Sequence, residues 1–62
     1  MTKEQETMLK QIEDIRQSGL ANMLDFYTVQ RVAFERNHHE LVEWMENHKS
    51  EYAQLIFTGK FP

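Results

Sequence analysis

Three histidines and a scatter of carboxylates are the groups in this 62-residue chain that invite a chemical reading. Zinc needs three or four convergent ligands. His39 and Glu43 stand at i,i+4 and share one helix face, which makes two. His48 lies nine residues beyond His39, half a turn round the same helix, and cannot join them. His39-Glu40-Leu41-Val42-Glu43 also lacks the second histidine of the zincin signature. No cysteine is present, so there is neither a thiolate site nor a cysteine nucleophile. Glu13, Asp14, Glu40 and Glu43 offer carboxylates for acid–base work, but no nucleophile or oxyanion donor set accompanies them. The two serines, Ser18 and Ser50, fall at expected helix ends, and there is no glycine-rich phosphate loop. The reading is of a non-enzyme without cofactor or metal.

A second constellation is better suited to binding. Tyr27, Arg31 and Phe34 recur at i, i+4 and i+7, which gives one helix an aromatic–arginine face apart from its apolar stripe. An arginine there meets a phosphate or carboxylate bidentately. Tyr27 or Trp44 would stack on a flat ring. The plain alternative is that Tyr27 and Phe34 pack on a neighbouring helix or a second subunit.

The elements that must position these groups are helical. Met8, Leu9, Ile12 and Ile15 repeat at helical spacing over Thr2–Ser18, with Thr2 and Gln5 spaced as a capping box, Glu6–Lys10 as an i,i+4 pair, and Gly19 as the stop. Leu20 suits the hydrophobic contact that accompanies such a stop. After a connector over Leu20–Leu24, Asp25 caps a second helix, Phe26 to Arg36, with Asn22 as an alternative cap. Its inward stripe is Phe26, Val29, Val32 and Ala33. Asn37 with Glu40 repeats the capping spacing and marks a third helix, His38 to His48, with Leu41, Val42, Trp44 and Met45 inward and Glu40, Glu43 and Glu46 on a separate face. His48 suits the negative end of its dipole. A fourth segment, Ser50 to Thr58, turns Tyr52, Leu55 and Ile56 inward and stops at Gly59; it either stands alone or continues the third as one bent helix. The tail, Lys60 to Pro62, is expected to be loose, with Phe61 able to dock. The fold class is all-α, a compact bundle of three to four short helices in a single domain, completed by homo-oligomerisation because a cysteine-free core this small is marginal alone.

Charge and hydropathy bound the partners. The formal net charge is −3, which argues against a general nucleic-acid binder. Helices two and three could pass for a helix-turn-helix, but the second would present Glu40, Glu43 and Glu46 to phosphates, against Arg31 and Arg36 as the one basic cluster. No apolar run approaches the ~20 residues of a membrane span, and the charged start is not a secretory signal. A cytosolic protein is expected, without membrane contact.

The order of residues also resembles a known family. The run Ile12-Glu13-Asp14-Ile15-Arg16-Gln17-Ser18-Gly19, then Asn22-Met23-Leu24-Asp25, Val29-Gln30, Glu40-Leu41-Val42-Glu43-Trp44-Met45, Tyr52 and Gly59 is similar to short uncharacterised proteins, a domain of unknown function, encoded by phages and prophages of Gram-positive bacteria. The likeness implies a small accessory protein in the host cytosol and brings no catalytic residues. Such proteins often act by binding, either blocking a defence protein or sequestering a nucleotide-derived immune signal in pockets between subunits. The expected function is therefore counter-defence: a homo-oligomer holding a nucleotide-like small molecule, with Asn22, Tyr27, Arg31 and Trp44 as contacts and His38 or His39 at the rim. The alternatives are an inhibitor that docks on a host protein through Glu40, Glu43 and Glu46, and a DNA-binding phage regulator.

Overall fold

The computed structural model describes residues 2–62, which form four helices and, among the described residues, no strand. Helix α1 runs over Lys3–Ser18. Thr2 caps it as the spacing predicts: the Gln5 amide donates to Thr2 Oγ1, and the Thr2 amide to Gln5 Oε1, both at 3.1 Å. Gly19 ends it at φ 69°, a left-handed conformation that glycine adopts without a Cβ penalty. Leu20 makes no hydrophobic closure behind it and stands largely in water. The Glu6–Lys10 spacing yields no ion pair among the described residues, as befits two exposed side chains whose pairing gains little.

Asn22 is not a helix cap. Its side-chain oxygen accepts from the Leu24 amide at 2.9 Å and its carbonyl from the Asp25 amide at 2.8 Å, a turn that sets Asp25 in place. Asp25 then caps α2, Phe26–Glu35, by accepting from the Thr28 amide and hydroxyl.

The entry to α3, His39–Asn47, departs from expectation. Asn37 does not cap this helix; His38 occupies that position without a side-chain bond. Asn37 closes α2 instead. It has φ 63°, its amide donates to Phe34 O at 3.1 Å, and the His38 amide donates to Ala33 O at 2.8 Å. That pair of bonds is a Schellman closure with asparagine in the left-handed position. Helices α3 and α4 are separate. The chain breaks at His48 (φ −138°, ψ 48°), and α4 covers Tyr52–Thr58 before Gly59 at φ 72°.

Helices α2 and α3 pack on each other and on α1. The core is Met8, Ile12 and Ile15 from α1, Val29, Val32 and Ala33 from α2, Leu41 and Met45 from α3, and Tyr52 and Leu55 from α4. Apolar residues repeat every three or four positions because only one face of each helix reaches this centre. Tyr52 adds a polar tie, its hydroxyl donating to Met23 O at 2.7 Å and holding the α1–α2 connector. Phe61, in the tail expected to be loose, packs against the core with its ring edge-on to Trp44 at 5.2 Å. No helix among the described residues is long and apolar enough to cross a membrane.

Candidate functional site

Two surface concavities matter. The smaller, a groove of about 280 Å³, runs along the outer face of α2 between Tyr27, Gln30, Arg31 and Phe34, with Val42 of α3 as its far wall. Gln30 forms its seam: the amide nitrogen donates to Val42 O at 3.3 Å and to Glu46 Oε2 at 3.0 Å, fixing α2 against α3. Tyr27 is 69% exposed and Phe34 62%. Phe34 is braced by the ring of His39, edge-on at 6.3 Å. Lys49 lies 6.0 Å from the Tyr27 ring centre, at the outer reach of a cation–π contact.

The larger concavity, about 390 Å³, lies between the start of α1 and the outward side of α3. Glu4 and Met8 of α1 line it on one side, and Glu40, Glu43, Trp44, Asn47 and His48 on the other. His48 stacks on Trp44, ring centres 4.7 Å apart and planes 12° from parallel, and its Nδ1 contacts Trp44 O at 2.9 Å. Three glutamates repel phosphate, whereas the smaller groove carries an arginine.

The sequence-assigned residues thus separate. Tyr27 and Arg31 come together in the groove, and His39 stands beside Phe34 without lining it. Trp44 belongs to the acidic cleft and Asn22 to the α1–α2 turn. His38 is engaged elsewhere: its Nε2 donates to Asp14 Oδ2 at 2.8 Å, beside Arg36, whose Nε and Nη2 donate to the two Asp14 oxygens at 2.7 and 3.1 Å. The Arg36 guanidinium, with the His38 ring next, lowers the Asp14 carboxyl to about 2. This cluster ties α1 to the α2–α3 turn and dissolves the basic patch that Arg31 and Arg36 suggest in sequence. The glutamate face divides too: Glu40 and Glu43 line the cleft, while Glu46 turns to Gln30 and Lys49. Gln30, noted in sequence beside Tyr27 and Arg31 but not assigned to the site, and Val42, read only as inward-facing, are both groove residues. Gln30 adjoins Arg31 in sequence, but nothing local reveals that its amide spans to α3.

The fold and its concavities define a small all-helical domain with an aromatic groove carrying one arginine along α2 and an acidic cleft between α1 and α3. The chain belongs to the family described as Domain of unknown function (DUF5049), whose model matches residues 4–60. No curated protein and no solved structure matches it.

Proposed function

We propose that this protein is a non-enzymatic phage accessory protein that acts in counter-defence, binding and sequestering a nucleotide-derived host immune signal at a homo-oligomer interface. One observation carries the reading: Arg31 stands between Tyr27 and Phe34 over an open groove, and it enters no ion pair among the described residues. An arginine without a carboxylate has its donor fork available for phosphate. Two exposed aromatic faces beside it supply stacking for a base. The groove falls just below the usual span of small-molecule pockets, roughly 300–1,000 Å³. A second copy of the chain would enclose what one copy leaves open.

Two measurements test it. Native mass spectrometry of freshly purified protein reads stoichiometry and any retained nucleotide mass together. Calorimetry with linear and cyclic mono- and dinucleotides then compares the native chain with Arg31→Ala. Loss of a charge-assisted pair is expected to weaken binding by roughly 10- to 100-fold. Unchanged affinity in the variant would remove the phosphate clamp.

A second reading has its own observation. Glu4, Glu40 and Glu43 converge around Trp44 in the larger cleft, which suits a basic segment of a host protein in an inhibitory complex. A specific host partner whose binding is lost in Glu43→Lys and kept in Arg31→Ala would favour it.

A further inference from the structure

Helix α2 buries one face and leaves the other bare. Tyr27, Arg31, Phe34 and Glu35 all lie exposed on that second side, within one stripe of the helix. Arg31 and Glu35 have i,i+4 spacing in the weaker, basic-before-acidic order, and like Glu6 and Lys10 they enter no ion pair among the described residues, so both charges are free for a partner. The stripe therefore holds one cation and one anion a turn apart, flanked by large apolar rings.

A stripe of that order complements itself when turned end for end. A parallel copy would set Arg31 against Arg31. An antiparallel copy, related by a two-fold axis near Ala33, sets Arg31 against Glu35 of the second copy and repeats the pair across the axis. The Phe34 rings then meet close to the axis. Tyr27 of each copy reaches the α2–α3 turn of the other, where His39 already braces Phe34.

We propose that the exposed face of α2 is a self-association surface: two copies pair antiparallel through Phe34 and reciprocal Arg31–Glu35 ion pairs, and each closes the open side of the other's groove. This rests on the oligomer-interface reading above and specifies its geometry: Glu35 of the second copy takes one edge of the Arg31 guanidinium and leaves its other N–H groups for phosphate. The interface is small. Aromatic side chains carry about 150–250 Å² each. At 69% and 62% exposure, Tyr27 and Phe34 leave roughly 250 Å² per copy in water. Even with the charged rim, the pairing falls in the weak class, below about 1,200 Å² in total. The pairing is therefore a weak, concentration-dependent monomer–dimer equilibrium.

Sedimentation across a concentration series tests this with the native chain and four variants: Arg31→Glu, Glu35→Arg, the double exchange and Phe34→Ser. Each substitution is on the surface, and circular dichroism verifies that helix content is retained. Each single charge variant opposes like charges and is expected to weaken dimerisation by roughly tenfold or more. The double exchange restores opposite charges and is expected to restore the dimer. Phe34→Ser, which leaves the charges alone, is expected to weaken it as well. A native chain that stays monomeric to about millimolar concentration, well beyond the range expected of a weak specific pair, would overturn the proposal. So would single variants that dimerise as the native chain does, a double exchange that fails to recover, or a larger assembly indifferent to all four. Calorimetry with the nucleotide panel separates the two readings. A charge-rescued dimer without nucleotide affinity in the native chain sinks the ligand and keeps the interface, whereas a nucleotide-binding monomer does the reverse.

Discussion

Tyr52→Phe isolates one atom of this fold. The Tyr52 ring is 2% exposed and meets Phe26 edge-on at 5.3 Å, and a phenylalanine ring fills the same space. What disappears is the hydroxyl that donates to Met23 O at 2.7 Å. A neutral intramolecular hydrogen bond contributes about 1 kcal/mol net, and a carbonyl left short of its partner raises the loss toward about 2 kcal/mol. In a domain of this size each kcal/mol moves the melting temperature by about 4–8 °C, so a fall of about 4–16 °C is expected. Alkali gives an independent reading. Burial pushes the Tyr52 hydroxyl from 10.0 up to about 12. The folded state therefore favours the neutral phenol. Its contribution is complete below pH 10, where the unfolded phenol still keeps its proton, and is lost as pH rises toward about 12. Thermal melts by circular dichroism in this window should show the native chain losing stability more steeply than Tyr52→Phe. Tyrosinate absorbance should show one native tyrosine ionising late, and that late step should be missing from the variant. A variant that melts with the native chain at neutral pH and falls in parallel with it in alkali would refute both the bond and the burial argument.

Asp14 sets the acid side. Its carboxyl is held at about 2 against an ordinary 3.8, so its contribution is present above pH 3.8 and is lost as pH falls toward about 2; Asp14→Asn should flatten the stability profile in that window, as read by acid titration of helix content. Asn37 separates two structural roles: if it closes α2 in a left-handed conformation, Asn37→Gly keeps stability within about 0.5 kcal/mol while Asn37→Ser loses about 1 kcal/mol. Were it the cap of α3, serine would serve equally well, and denaturant melts would place Asn37→Ser beside the native chain. Leu41 is fully buried at the meeting of the helices, and Leu41→Ala should cost about 3 kcal/mol, enough to leave a domain this small largely unfolded in circular dichroism at room temperature.

What could be read in advance divides by the range of the interaction that decides it. The capping box at Thr2, the glycine stops and the inward stripes are set within one or two turns of chain, and composition with spacing suffices for them. Asn37 misleads because asparagine satisfies two local roles, helix cap and left-handed closure, and the choice is made by the Ala33 and Phe34 carbonyls behind it rather than by Glu40 ahead. Trp44 misleads for a tertiary reason. Its side of α3 is apolar by spacing, but α3 is gripped by two neighbours: Val42 turns toward α2 and Trp44 toward α1. No pattern within nine residues says which neighbour takes which side. Arg31 shows the same limit from the other direction. Tyr27, Arg31 and Phe34 are legible as a face, yet the face gains meaning from what the other arginines do. Arg16 pairs with Glu13 within its own helix, and Arg36 is captured across 22 residues by Asp14. Among the described residues Arg31 is left as the arginine without a carboxylate, placed between two exposed rings. The strongest argument for a binding role on α2 is therefore made by a residue of α1.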